Sequence, residues 1–352
     1  MQTLSFIIAT AGAIASTSDA TVDSRSILSG SAVISGEGAT EEQRRDAAPT
    51  PRPIDDTSEN DTSRTTQSRP LASDPPVAKP PAQSDRAVFR GGKLLLTNGI
   101  TSLEGASGGG IAKWATIAGL ELERGIGASG HATFIELPDF GWRSYGVSLG
   151  VGDRVELSFT RQNFDTRDAG AALGLGEGYT FNQDIYGAKV RVAGDVVYGS
   201  PAMPQIALGV EYKRNLDGPI VDLLGAGDDE GFDFTLSATK LVLEHSILIN
   251  ATARLTEANQ LGLLGFGNSD DRGHRIEVEG SLAYQLTRRA AVGVELRTKP
   301  DNLGLGEDDW LDVFIAYAPT RNLTVSAAYV DLGSIATFDD QRGGFLQTQI
   351  AF

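Results

Sequence analysis

Charged side chains alternate with apolar ones along several segments of the chain, and this spacing is the feature that could do chemistry. In residues 276–286, Glu277 and Glu279 lie between Ile276, Val278 and Gly280. Because side chains of a β-strand point alternately to opposite faces, such a segment has one charged face and one apolar face. Eleven charged residues lie on the face opposite the apolar residues of their segments: Glu156, Lys189, Arg191, Glu211, Lys213, Arg254, Glu277, Glu279, Glu295, Arg297 and Asp312. If the strands that carry these residues close into a barrel, the charged side chains line its lumen. Such a lumen either conducts solutes or is closed because its charged side chains pair with each other.

Other residue types predict no catalytic, cofactor or metal site. The three histidines, His131, His245 and His274, lie in different segments, and the chain has no cysteine. Asp-rich pairs such as Asp270-Asp271 fall in predicted loops without the ordered spacing of a Ca²⁺ site, so they are interpreted as solvated acidic loops. The glycine-rich run 105–110 does not open a helix after a strand, as a phosphate-binding loop requires, and is interpreted as a flexible loop.

The alternating segments have the length of membrane-spanning strands. Segments such as 154–162, 205–213 and 276–286 approach the roughly nine to eleven residues that a tilted spanning strand needs, whereas strands of soluble sheets centre near five or six. Connections alternate between tight turns and long loops, a pattern typical of bacterial outer-membrane barrels. Aromatic residues near strand ends, including Trp142, Tyr145 and Tyr186, predict girdles at the two membrane interfaces. The sequence therefore predicts an all-β, transmembrane, antiparallel up-and-down barrel.

The strand count depends on the start of the predicted barrel. Counting back from the carboxyl end gives a strand at 111–122, and a further strand at 93–105 brings the total to 14. The alternation in 93–105 is poor. If that segment instead packs inside the lumen, a second strand must leave the wall to keep the number even, and the alternative count is 12.

The carboxyl-terminal segment predicts a contact with the machinery that assembles outer-membrane barrels. Leu346, Ile350 and Phe352 share one face, while Gln347 and Gln349 share the other. An apolar terminal strand closed by an aromatic residue is interpreted as the assembly signal. The other expected surroundings of the barrel are outer-membrane lipid and lipopolysaccharide.

The amino-terminal quarter differs in composition from the rest. Residues 1–20 contain an apolar, small-residue run and are interpreted as a signal peptide. Residues 21–87 are rich in Pro, Ser and Thr and predict a disordered linker, which leaves 88–352 for the barrel. The linker is expected in the periplasm, where it could bind a partner protein. The net charge of −16 argues against a nucleic-acid partner, and no apolar run is long enough for a spanning helix.

Four stretches carry a resemblance to a known family. They are Gly91–Gly99 (GGKLLLTNG), Leu103–Gly110 (LEGASGGG), Ser144–Ser158 (SYGVSLGVGDRVELS) and Gln183–Asp195 (QDIYGAKVRVAGD). Together they resemble DUF3034, a bacterial family of unknown function whose members look like outer-membrane barrels. The resemblance covers most of residues 90–352 and implies the architecture and an outer-membrane location in a Gram-negative bacterium. It implies no catalytic residues.

Three functions are compatible with these observations. The first is a channel or porin for diffusion or uptake of small hydrophilic solutes, because the predicted bore is charged and a barrel of this size has room for water. The second is a structural or anchoring barrel that binds a periplasmic partner through its amino-terminal extension. The third is an outer-membrane lipid hydrolase. It is the least supported of the three, because no His is placed on a lipid-facing position beside a Ser. The protein is accordingly not expected to be an enzyme.

Overall fold

The computed structural model describes residues 92–122, 125–200, 202–271 and 273–352. The predicted signal peptide, 1–20, and the predicted linker, 21–87, lie outside the described residues. Among the described residues, no helix combines the length and the apolarity that crossing a membrane requires.

Within the described residues, twelve antiparallel strands form one closed barrel, in which each strand pairs with its neighbours in sequence and β14 pairs with β3. A separate two-stranded ladder of β1 (Ile100–Thr101) and β2 (Ser107–Gly108) precedes them. The barrel strands are β3 (Ile126–Glu136), β4 (Gly141–Val151), β5 (Val155–Asp165), β6 (Thr180–Ala193), β7 (Gln205–Asn215), β8 (Glu230–Val242), β9 (Ile247–Thr256), β10 (Arg275–Thr287), β11 (Ala290–Arg297), β12 (Trp310–Tyr317), β13 (Leu323–Asp331) and β14 (Arg342–Ala351).

The period-two pattern of the sequence sets which face of each strand looks outward. In β8, Phe232, Phe234 and Leu236 are about half exposed, whereas Asp233 and Thr235 between them are buried. Exposing bulky apolar residues to water around the whole barrel would cost a large free energy. This outer surface therefore faces lipid. The same pattern places Leu346, Ile350 and Phe352 on the exposed face and Gln347 and Gln349 on the buried face.

Aromatic rings form a row on the outer surface of neighbouring strands. Phe159 contacts Tyr186, Tyr186 contacts Tyr212, and Tyr212 contacts Phe232, with ring centroids 5.1, 6.2 and 5.2 Å apart. This row agrees with the predicted girdle. Trp142 does not belong to it: that prediction was wrong, because the first inward positions of β4 lie under the loops, where an indole packs inside the barrel.

The two ends of the barrel are built differently. One end, here called the long-loop end, carries the loops 166–179, 216–229, 257–274, 298–309 and 332–341, with the short helices α1 (Ala169–Ala172) and α2 (Gly218–Leu223) and a 3₁₀ turn at Asn259–Gly262. The other, short-turn end carries mainly tight turns, including the 3₁₀ turn Leu243–His245. Apolar side chains from the long loops fold over the lumen, and Trp142 meets Phe164 and Trp310 edge to face, with centroids 5.2 and 5.6 Å away.

Residues 92–122, here called the plug, lie inside the barrel. Every residue from 97 to 121 is buried, without the alternation of exposure that a wall strand shows. The plug enters and leaves at the short-turn end, where the Lys93 amide donates to the Leu120 carbonyl. Its tip, with Leu103 and Ile111, reaches the apolar cluster at the long-loop end.

The plug corrects the predicted strand count. The main prediction of 14 strands was wrong, and the alternative of 12 is confirmed, because 93–105 and 111–122 both pack inside the lumen. Residues 97–121 of these segments are all buried, so they show no alternation between a lipid-facing and a water-facing side. Because both segments lie inside the lumen, the number of wall strands stays even.

Candidate functional site: the plugged lumen

The wall of the lumen carries the charged residues that the sequence singled out. The structure buries ten of the eleven inside the barrel: Glu156, Lys189, Arg191, Glu211, Lys213, Arg254, Glu279, Glu295, Arg297 and Asp312. The eleventh, Glu277, is partly exposed toward the long-loop end and accepts a hydrogen bond from Thr298. Asp233 also lies in this set and was missed, although its position between two outward phenylalanines was the signal that could have found it.

Wall side chains satisfy the backbone of the plug. The plug has little secondary structure of its own, so its amides and carbonyls need outside partners. Nine of the twelve strands provide them or bond its side chains, through Ser144, Gln162, Glu156, Lys189, Gln205, Lys213, Thr239, Asn250, Thr252, Glu279, Ser281, Glu295, Arg297 and Gln347. The inward polar residues therefore contact protein rather than an open bore in this state.

A single ionic cluster holds the middle of the plug. Plug residue Glu104 accepts from Lys113, Lys213 and Arg297, at 2.6 Å for Lys113 and for Arg297. The cluster extends along the wall through further ion pairs and contains four acids and four bases: Glu104, Glu211, Asp233 and Glu279 with Lys113, Lys213, Arg254 and Arg297. Its formal charge is zero, which is the arrangement that makes burial of charge tolerable.

Two smaller ionic groups are also balanced. Lys189 pairs with Glu156 at 3.2 Å, while the two Glu156 oxygens accept the amides of Ser107 and Ala118. Nearer the short-turn end, Asp153 binds Lys93 and Arg191, and Arg191 also reaches Asp195. These groups fix the two arms of the plug against β5 and β6.

The glycine-rich part of the plug binds a carboxylate of the barrel wall, that of Glu295. The Ile111 amide donates to Glu295 Oε2 at 2.9 Å. A Cβ on Gly109 would lie 1.6 Å from Glu295 Oε1, and one on Gly105, where φ is +95°, would lie 2.0 Å from Thr160 Oγ1. The glycines are therefore packed against the wall, in contrast to the predicted flexible loop, because only residues without side chains allow this approach.

One pair of carboxylates in the lumen has no cation. Glu295 and Asp312 are direct neighbours across β11 and β12. Within the described residues, neither forms an ion pair, and both oxygens of Asp312 lack a hydrogen-bond partner. Glu295 accepts hydrogen bonds from Ser281 and from the plug.

The lumen also contains three acids with spacing suitable for a metal ion, namely Glu104, Glu211 and Asp233. Lys113 and Lys213 already contact these carboxylates and supply the positive charge that an ion would bring. The donor set is therefore better explained as part of the ionic cluster.

A lysine at the long-loop end ties several loops together. Lys299 Nζ donates to Gln260 Oε1 at 3.0 Å, to Glu307 Oε2 at 2.5 Å and to the Ser334 carbonyl at 3.1 Å. Burial lowers the pKa of Lys299, and the Glu307 carboxylate works against that effect. The predicted acidic loops are thus partly organised: the Ser334 hydroxyl lies within donating distance of Asp339 Oδ1, at 2.7 Å, and of Asp308 Oδ2, at 3.1 Å.

The histidines do not form a lipid-facing catalytic group. His131 lies inside the barrel, with Nε2 3.4 Å from Ser144 Oγ, and that hydroxyl donates to the plug carbonyl of Leu103. His274 lies outside, where Nε2 contacts the Phe232 carbonyl.

Solved structures with a similar fold include outer-membrane barrels of several kinds. The KdgM porin is 11% identical, with a TM-score of 0.42, and the match covers 64% of this chain and 99% of that one. The Acinetobacter baumannii protein Omp33 is 10% identical, with a TM-score of 0.36 and coverage of 66% and 99%. Outer membrane phospholipase A from Escherichia coli is 8% identical, with a TM-score of 0.34 and coverage of 64% and 92%. At this level the similarity bears on neither solute nor mechanism.

No curated protein matches the chain. A family model, described as a protein of unknown function (DUF3034), matches residues 97–349 and so spans both the plug and the barrel. With its closed barrel, its apolar outer surface and this match over most of its length, the chain is an outer-membrane β-barrel that belongs to the DUF3034 family.

Proposed function

We propose that the protein is a gated channel for small hydrophilic solutes and that the plug is its gate. The observation that carries the proposal is how the plug is held: wall side chains bind its backbone and its charges, and water can replace such contacts. Apolar side chains of the plug, among them Leu103, Ile111 and Trp114, also pack in the lumen, and these contacts must open together with the polar ones. The structure then corresponds to the closed state.

An emptied lumen would be wet and charged. The wall would then present seven acids and five bases, namely Asp153, Glu156, Glu211, Asp233, Glu279, Glu295 and Asp312 with Lys189, Arg191, Lys213, Arg254 and Arg297. Opposed charges of this kind set a transverse field across a water-filled bore. The excess of acids predicts a weak preference for cations.

The orientation proposed for the barrel places the short-turn end and the amino-terminal extension in the periplasm. The extension precedes the plug in the sequence, so we propose that a periplasmic partner that binds residues 21–87 acts on the gate. The exposed face of β14, with Leu346 and Ile350, and the exposed Phe352 that follows it are proposed to contact the assembly machinery. Outer-membrane lipid and lipopolysaccharide would cover the rest of the outer wall.

A second candidate function is a sealed anchoring barrel. The apolar cluster under the long loops favours it, because Trp142, Phe164 and Trp310 close the lumen a second time beyond the plug tip. In that case the extension would hold a periplasmic partner while the barrel serves only as an anchor.

Single-channel recording with a lockable plug tests the two candidates. The Ala115 amide donates to Thr239 Oγ1 at 2.8 Å, so cysteines at these two positions lie within reach of a short bifunctional thiol crosslinker. The chain has no other cysteine to interfere. The double variant A115C/T239C is compared with each single variant, before and after crosslinking.

A gated channel predicts openings in the untreated double variant and in both single variants, and their loss only in the crosslinked double variant. A variant lacking residues 92–122 should conduct continuously. Silence of all variants, including the one without a plug, would contradict the channel and support the sealed barrel.

A further inference from the structure

Two buried carboxylates lie side by side in the lumen wall, at the point where the plug tip touches it. Glu295 on β11 and Asp312 on β12 are directly paired, and each is 1% exposed. Side chains at such positions have Cβ atoms about 4.5–5.5 Å apart, and like charges there repel each other. Two full negative charges in this position would be costly, because no bulk water screens them.

The rest of the lumen does not compensate this pair. The central cluster is neutral, and the groups around Glu156 and Asp153 have their own cations. The nearest base along the strand, Arg297, is engaged by Glu104, Glu279 and the Ile111 carbonyl. Among the described residues, Glu295 and Asp312 therefore have no cation of their own.

The groups that face the pair are almost all uncharged. From β10 comes Ser281, whose hydroxyl donates to Glu295 at 2.7 Å, with Glu279 two positions beyond. From the plug come Gly109, Gly110 and the Ile111 amide. From β13 comes the buried Val330, directly across from Asp312, and Phe345 of β14 contacts the same part of the plug.

The ligands at this site suit a proton better than a metal ion. A bound Ca²⁺ or Mg²⁺ would need about six oxygen ligands, and this pair supplies two carboxylates, of which one already accepts two hydrogen bonds. A proton needs one donor oxygen and one acceptor. Glu295 is the better anion, because the Ser281 hydroxyl and the Ile111 amide both stabilise its charge, whereas neither oxygen of Asp312 has a hydrogen-bond partner.

We propose that Glu295 and Asp312 form a proton-binding site that holds one proton, carried by Asp312, while the plug is seated. When the plug leaves, water reaches the pair, the Asp312 O–H bond breaks, and the proton passes to water. The closed state thus binds one proton more than the open state, so rising pH favours opening. This regulatory consequence rests on the proposed channel function, but the proton site itself does not.

Infrared spectroscopy of the refolded full chain tests the site without reference to conductance. The C=O band of a protonated carboxyl is recorded at neutral pH in H₂O and in D₂O. The substitution Asp312→Asn should abolish the band. Asp168→Asn should leave it, because Asp168 is exposed and its side chain caps no helix. A wild-type protein without the band, or a D312N protein that retains it, would overturn the site.

Two further measurements separate a proton from a metal and the site from the channel. Dialysis against a chelator should leave the band unchanged, and about one divalent ion per chain, lost together with plug seating, would overturn the proton in favour of a metal. Wild-type opening frequency should rise with pH, by at most about tenfold per unit for one linked proton, and D312N should show no such rise. The same rise in D312N would overturn the regulation and leave the channel. The band without openings at any pH would support the site and contradict the channel.

Discussion

Two groups of buried acids in the same lumen differ in how their charge is met. Glu104 and its cluster have one base for each acid, drawn from the plug and from β7, β9 and β11. Glu295 lies two residues before Arg297 on β11, and Asp312 is its neighbour on β12. Glu295 accepts hydrogen bonds, Asp312 does not, and neither has a base. The comparison separates two roles for buried carboxylates: the first group fastens the plug by pairing of fixed charges, and the second makes its seating depend on a proton.

Labelling of a buried cysteine measures how often the plug leaves. Ala115 is fully buried in the plug, so a water-soluble thiol reagent would reach A115C only when the plug is displaced. The ratio of labelling rates between two variants then gives the change in the free energy of plug seating, provided that reseating is fast compared with labelling. Each further substitution is therefore made in the A115C variant, which serves as the parent.

The largest effect is expected from Glu104→Gln. Removal of this acid leaves Lys113, Lys213 and Arg297 with one counter-charge fewer in a buried site. Breaking a buried ion pair from one side costs about 3–5 kcal/mol, so labelling should be faster by at least about a hundredfold. The double variant E104Q/R297Q should recover part of this loss. Equal labelling of E104Q and the parent would contradict the assigned role of the cluster.

A smaller effect is expected from Gly109→Ala. The added Cβ would lie 1.6 Å from Glu295 Oε1, so either the plug or the carboxylate must shift. Overpacking of this kind costs about 1–3 kcal/mol. The matched control is Gly344→Ala on β14, where a Cβ meets no atom within 4 Å and the strand conformation suits alanine. The packing account fails if both variants label alike.

Asp312→Asn should behave unlike the substitution of Glu104, although both replace an acid by its amide. An asparagine reproduces the neutral, donating form of Asp312, so labelling at neutral pH should change by no more than about threefold, or less than about 1 kcal/mol. At alkaline pH the variant should label more slowly than its parent. A loss of seating as large as that of E104Q would show that Asp312 belongs to the charged lock.

The smallest effect is expected outside the lumen. Arg161 and Asp184 form a bidentate pair on the outer wall, with nitrogen to oxygen distances of 2.6 Å, and the arginine side chain is 38% exposed. Exposed pairs contribute about 0–1 kcal/mol, and this one does not touch the plug. R161Q should therefore label like its parent, and a hundredfold change would mean that the barrel wall, rather than the lumen, controls the plug.

The sequence predicted the wall well because each wall strand has two different surroundings, which impose a period of two on its residues. Asp312 and Arg297 could be assigned to the inner face in this way. The plug could not, because its residues 97–121 are all buried and no periodicity results. Its main contacts are also distant in sequence: Glu104 and Lys213 are 109 residues apart, and Ile111 and Glu295 are 184 apart. Such pairs leave no local pattern, so the choice between an open and a filled lumen stayed undecided until the structure placed residues 92–122.

The most direct test of the account is the crosslinking of A115C to T239C in intact outer membranes. A short bifunctional thiol reagent should join the two positions in most molecules, because plug and wall are in hydrogen-bond contact there. Each single-cysteine variant should remain uncrosslinked. Free labelling of both cysteines by a water-soluble reagent, without crosslinking, would contradict the presence of the plug in the lumen.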